Sequence, residues 1–283
     1  MPKKPTEFYK EYKEYPIYSL NNIYNITEDL IEPSNYKEAI KAIYKNKWQL
    51  SIEAELEELI SQKTWIIMLN NNNYNPLGTR WVYKIKTDNN NNILKYKSRF
   101  VAQGFNQIKN LDYNDTFATM ARPEAILIAL IIAVANNYYI RQYDVKNAFC
   151  HANIDEEVYI KFPLEFLDFL INHKDSLITL PEEELYKIRN NISAYKNNYN
   201  NNLVLKLKKA LYGLKQSPRL WYLYLSGQLE KQGFKAMPYN KGIFINNIIK
   251  AIAIIFVDNI ILAAPKLLDI NNIANNFSKE IKI

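Results

Sequence analysis

The chain of 283 residues has one cysteine, Cys150, and two histidines, His151 and His173. A lone cysteine excludes an intrachain disulfide, and so sparse a Cys/His set excludes a structural zinc site. Both absences fit an intracellular, reducing location. The opening residues, MPKKPTEFYKEYKEYP, hold no apolar core that could act as a signal peptide. The longest purely apolar run, 125–135, is too short to span a bilayer, so no membrane association is expected. What the chain does have is 48% hydrophobic residues, enough for a core, and a formal net charge of +7. The basic excess points either to a polyanionic partner such as nucleic acid or to a solvated basic surface.

Residues 1–35, rich in Tyr, Glu, Lys and Asn without a sustained period, read as a poorly ordered lead. From 36 to 60, Ala39, Ile40, Ile43, Trp48, Ile52, Leu56 and Ile60 form a broadly helical stripe, with Glu53, Glu55, Glu57 and Glu58 placed for water. One or two amphipathic helices are expected there. Asparagine runs at 70–73, 89–92 and 197–202, the last interrupted by Tyr199, mark loops, although prion-like tracts have the same composition.

Between the first two runs, Trp81, Tyr83 and Ile85 alternate with Arg80, Lys84 and Lys86, and beyond Asp88 a second strand sets Lys95, Lys97 and Arg99 on one face. The result is a hairpin with a cationic face. Pro123 and Glu124 suit the first turn of a helix, and the apolar run behind them predicts a buried one. Tyr138 to Val145 favours a strand, and a strand pair is expected around 252–264, turning at Asp258-Asn259. Helices and antiparallel strands together predict an α+β fold.

Two aspartates lie in apolar, strand-like sequence: Asp144 in YYIRQYDVKNAF and Asp258 in AIAIIFVDNIIL. An unpartnered buried carboxylate is costly, so each is a turn residue in water, half of an ion pair, or a metal ligand. The motifs RWVYKIK, KYKSRFVAQGFNQ, LDYNDTFATMAR, YDVKNAFCHANIDEEVYI, LKKALYGLKQSPRLWY and FVDNIIL occur in the order of the copia-type retrotransposon reverse transcriptases, and the chain resembles that family from about Glu32 to Pro265.

The resemblance implies a polymerase fingers and palm over 61–283, with an antiparallel palm sheet flanked by helices. It implies template-directed addition of dNTPs to a primer on RNA or DNA, within a larger Pol polyprotein, in cytoplasmic virus-like particles or the nucleus. It implies two Mg2+ ions, with Mn2+ as a substitute, held by Asp144, the carbonyl of Val145 and Asp258, since hard ions take oxygen ligands. Phe149 matches the steric gate that selects deoxynucleotides, although a core aromatic would read the same. Lys86 and Arg99 match residues that grip the triphosphate, and Tyr212, Gly213, Lys215 and Gln216 match nucleotide-contacting positions. Lys84, Lys95, Lys97, Lys208, Lys209 and Arg219 are candidate nucleic-acid contacts.

Three departures stand out. The family's paired aspartates read here as Asp258-Asn259, so the second catalytic position is degenerate. After Pro265 the sequence runs through LLDINNIANNFSKEIKI, so no thumb and an incomplete palm are expected. YKIRNNISAYKNNYNNN reads as an expanded loop. An active polymerase domain and a catalytically dead remnant that keeps the fold, with or without nucleic-acid binding, both fit.

Overall fold

The alternation in 80–86 becomes a strand because it gives one face an unbroken apolar row. In the computed structural model, which describes residues 31–70, 74–116, 118, 120–163, 166 and 203–281, β2 (Thr79–Thr87) pairs antiparallel with β3 (Ile93–Ala102). Trp81, Tyr83 and Ile85 are buried, whereas Arg80, Lys84 and Lys86 are exposed. Asp88 closes the turn, accepting from the amides of Asn90 and Asn92 at 2.8 Å. The lead up to residue 30, Asn71–Asn73 and the 186–202 segment lie outside the described residues.

Ahead of the hairpin come α1 (Tyr36–Ala39), α2 (Lys45–Ser61) and β1 (Trp65–Leu69). Asn35 caps α1 by accepting from the Glu38 amide at 3.1 Å, while Ser34 donates its own amide to the Glu38 carboxylate at 2.8 Å. These reciprocal bonds satisfy donors that a helix start leaves orphaned. Glu32 then reaches the hairpin, accepting from the Ile85 amide at 2.9 Å and pairing with Lys84 at 2.9 Å. α2 packs against β3 through the expected stripe, Trp48, Ile52, Leu56 and Ile60, with Leu59 added. One expectation fails here. Glu55 is only 7% exposed, because Ile52, Glu55 and Leu59 fall on the packed face at helical spacing.

The largest sheet has five antiparallel strands in the order β4-β10-β9-β8-β7: β4 (Tyr139–Asp144), β7 (Lys235–Met237), β8 (Asn240–Asn246), β9 (Ala251–Phe256) and β10 (Asn259–Ala264). β5 (Tyr159–Lys161) joins β1 and β6 (Leu203–Leu207) in a three-stranded sheet. In the large sheet, Ala251, Ala253, Ile255, Ile260 and Leu262 meet α4 (Ser217–Lys231) and α5 (Leu267–Ser278), and the alternate residues Ile252, Ile254 and Ile261 meet α3 (Pro123–Ala135). Helices thus cover both faces of an antiparallel sheet, an α+β architecture.

α3 forms where expected but is not buried. Ala125 and Ala129 lie on the sheet at i, i+4 spacing and Ala133, one step further, is buried, while Leu127 at 62% and Ile131 at 66% face outward with Ile128, Ile132 and Val134. A helix apolar all round carries no sequence signal for which side meets the sheet. Two cores result. One gathers α2, the hairpin and β1, β5 and β6, and the other gathers the five-stranded sheet with α4 and α5.

Candidate active site

The β9–β10 hairpin turns one residue earlier than its Asp-Asn dipeptide suggests. Phe256 pairs with Asn259, so Val257-Asp258 form the two-residue turn and Asn259 is the first residue of β10. Val257 has φ +57, and Asp258 is not among the positive-φ residues. That φ pattern belongs to type II′ hairpins, whose first turn position is normally glycine.

β4 lies on the other side of β10, with Asp144 directly opposite Asn259. The Val145 amide donates to the Asp258 carbonyl at 2.9 Å, closing the gap between the two aspartate-bearing segments. Folding therefore brings together Asp144 and Asp258, which lie far apart in the chain. Asp144 is exposed and Asp258 half-buried. Asn259 donates its side-chain amide to Asp258 Oδ1 at 3.3 Å, and its carbonyl oxygen accepts from Gln142 Nε2 at 2.8 Å. An aspartate at 259 would have no N–H to offer its neighbour.

A cleft of about 800 Å³ opens between this turn and the hairpin, lined by Lys86, Lys95 and Lys97 on one side and by Asp144, Val145, Tyr212 and Asp258 on the other. Across the hairpin Lys86 faces Lys95, and Lys84 faces Lys97. Like charges directly opposite each other on one sheet face destabilise it. Burial, with Arg99 and Lys86 nearby, holds the Lys97 ammonium below the usual lysine range, partly offset by Glu55 and Asp144. Arg99 lies over the Tyr212 ring at 5.2 Å. Its Nε is enclosed and has no hydrogen-bond partner among the described residues. Phe149, half-buried in the 3-10 turn Ala148–His151, meets Tyr212 edge-on at 4.6 Å. Burial pushes the Tyr212 hydroxyl well above the ordinary phenol range.

Other expected site residues are engaged elsewhere. Gln216 is 0% exposed, accepting from Gln107 Nε2 and donating to the Asp112 carbonyl, both at 2.9 Å. Lys215 donates its amide to Gln107 Oε1 at 2.8 Å and its ammonium to the Gln107 carbonyl at 3.1 Å. Both fasten the 104–113 loop. Arg219 pairs with Asp155 at 2.9 Å and with Asp115 at 3.3 Å, so its charge is neutralised within the protein rather than offered to phosphates. Lys84 is paired with Glu32, and Lys209 reaches Asn153 at 2.8 Å. The amides of Lys208 and Lys209 bond to Thr64, beside the three-stranded sheet and outside the cleft lining. Gly213 does permit a close backbone approach, but to β3. At φ +91, a Cβ there would lie 2.0 Å from the Ala102 carbonyl oxygen.

Two residues were not foreseen, Glu55 in the cleft and Gln142 beside the turn. Glu55 reaches the cleft from α2, with long contacts to the Phe100 amide at 3.4 Å and Asn147 Nδ2 at 3.5 Å. Burial raises its carboxyl above the ordinary value, although those contacts and the charges of Lys97 and Arg99 pull it back. Gln142 shares a strand face with Asp144, a period-two relation visible in the sequence. Among the described residues no three His, Cys, Asp or Glu side chains gather into a metal-binding cluster. At the turn the carboxylates are Asp144 and Asp258, which suit a hard divalent ion, with Glu55 and Glu58 lining the cleft from α2, while the Asn259 oxygen is already taken by Gln142.

Residues 62–191 and 177–283 match the profile of the family described as reverse transcriptase (RNA-dependent DNA polymerase). The chain belongs to the reverse transcriptase family. It is 29% identical over 266 residues to the retrovirus-related Pol polyprotein from transposon RE1 of Arabidopsis thaliana, an overlap of 93% of this chain but 16% of that protein. The corresponding protein from transposon TNT 1-94 of Nicotiana tabacum is 28% identical over 211 residues, 75% of this chain and 14% of its own. The transposon Ty1-ER2 Gag-Pol polyprotein of Saccharomyces cerevisiae is 27% identical over 247 residues, 83% and 12%.

This reverse transcriptase domain is thus of the copia type and spans about a sixth of the length of its first relatives. The structure of apo telomerase from Candida Tropicalis truncated from C-terminal domain overlays 82% of this chain and 51% of its own, with 8% identity and a TM-score of 0.36. That likeness is too weak to carry an argument. No helix among the described residues is long and apolar enough to cross a membrane.

Proposed function

We propose that the cleft is the nucleotide-addition site of a fingers-and-palm polymerase, which extends a primer on an RNA or DNA template by a two-metal mechanism. The observation that carries this reading is the joint lining of one cleft by Lys86, Lys95 and Lys97 and by Asp144 and Asp258. Asp144 and Asp258 would hold divalent ions, Mg2+ or Mn2+, with the Val145 carbonyl as a further ligand. Such ions, when bound, activate the primer 3′-hydroxyl and stabilise the leaving pyrophosphate. The lysine ladder relieves its own repulsion by accepting the triphosphate of a dNTP, and Arg99, stacked on the cleft-lining Tyr212 ring, adds positive charge behind it. Phe149, packed edge-on against the cleft-lining Tyr212, would be the ring that crowds a ribose 2′-hydroxyl.

Asn259 favours a second reading, a copy that binds polyanions and synthesises little or nothing. The position contributes no negative charge to a site that must gather two dications and a triphosphate. Primer extension by the wild type and by Asn259→Asp decides between them. A large gain in the variant is expected, and equal, robust synthesis by both would sink the idea that this position limits activity. The rest of a Pol polyprotein is the expected covalent context.

A further inference from the structure

The turn that presents Asp258 is built against its own residue preference. Val257 is β-branched and sits at φ +57, where such a residue is an outlier. A strained turn persists only when its surroundings over-determine it. Two hydrogen bonds do so here. The Asp258 carbonyl accepts from the Val145 amide at 2.9 Å, and the Val257 carbonyl accepts from Trp221 Nε1 at 2.8 Å. Trp221 lies on α4, is 2% exposed, and packs against Tyr224 and against His151, whose Nε2 lies 3.2 Å from the Lys146 carbonyl. Helix α4 therefore touches both segments that follow or carry the aspartates.

We propose that Trp221 is a positioning residue: its indole N–H holds the Val257 carbonyl and so fixes the Asp258 turn against the Asp144 strand end. The indole contributes through geometry and lines no part of the cleft. This rests on the nucleotide-addition reading only for its catalytic consequence, because the clamp itself is a property of the fold.

The test separates the two. Trp221→Phe keeps an aromatic ring and deletes the donor. Backbone hydrogen exchange at the Val145 amide should accelerate about fivefold to tenfold, the factor for losing one hydrogen bond. The Ala102 amide, bonded to the Tyr212 carbonyl at 2.9 Å, reports overall stability and should change less. Val257→Gly removes the strain, so adding it to Trp221→Phe should restore most of the Val145 protection. Parallel acceleration at Val145 and Ala102, unchanged Val145 exchange, or no rescue by Val257→Gly would each overturn the clamp. In an Asn259→Asp background, Trp221→Phe should lower kcat for primer extension about tenfold and leave the dNTP KM unchanged. A loosened turn with undiminished kcat overturns the catalytic role. An Asn259→Asp protein without synthesis overturns the nucleotide-addition reading and leaves the exchange result to decide the clamp.

Discussion

Replacing Lys86 by glutamine should make the free protein more stable and a worse ligand for polyphosphate. Lys86 and Lys95 are cross-strand partners on the exposed face of β2–β3. A directly opposed like-charge pair costs about 0.2–1 kcal/mol, so Lys86→Gln should gain about 0.5 kcal/mol in urea unfolding at low salt. Both ammonium groups are solvated, so salt should erase the gain as the screening length falls from about 10 Å at 0.1 M to about 3 Å at 1 M. Lys84 supplies the internal control. Its ion pair with Glu32 compensates it, so Lys84→Gln should bring no gain. Titration with inorganic tripolyphosphate should show the opposite sign for Lys86→Gln. One charge-assisted contact, about 1.5–3 kcal/mol, corresponds to at least a tenfold loss of affinity. A lower urea midpoint for Lys86→Gln at low salt, or unchanged polyphosphate affinity, would refute the reasoning that the ladder is assembled for an anion.

Glu55 tests the cost of a buried carboxyl. Its folded pKa is raised, so between the ordinary glutamate value and that raised value the native state binds more protons than the unfolded chain. Stability should therefore fall as pH rises through that window. Urea midpoints measured from acid to neutral pH should show this slope in the wild type and its loss in Glu55→Gln. Gly213→Ala should destabilise by several kcal/mol, since φ +91 and a Cβ 2.0 Å from the Ala102 carbonyl oxygen both resist it; a near-native thermal midpoint would contradict the contact. Ile131→Lys on the outer face of α3 should leave stability within about 0.5 kcal/mol of the wild type in urea unfolding; a large loss of stability would mean that this face is packed.

The cationic hairpin was legible because one pattern, apolar and basic residues in alternation, fixes both the strand and its burial. The aspartate pair was legible for a different reason: charges inside apolar strand sequence need an explanation. What escaped was set by partners distant in the chain. Gln216 and Arg219 look like nucleic-acid contacts within LKQSPR, yet Gln107, Asp112, Asp115 and Asp155 claim them. Glu55 could have been found, because the stripe through Ile52 and Leu59 includes it. The turn at 257–258 was misplaced by one residue since the Asp-Asn dipeptide has the better local propensity, and the pairing of Asn259 with Asp144 overrides it.

The partition into two cores has an optical corollary. The chain has four tryptophans. Trp48, Trp65 and Trp81 all lie in the core beneath the hairpin, and Trp221 alone lies in the core of the five-stranded sheet. Replacing the first three by phenylalanine would leave a single emitter on the sheet that carries Asp258, and Trp221→Phe would leave the emission of the other half. Denaturation followed in the two proteins would then report each half by its own light, and would resolve whether the aspartate-bearing sheet melts with the hairpin or before it.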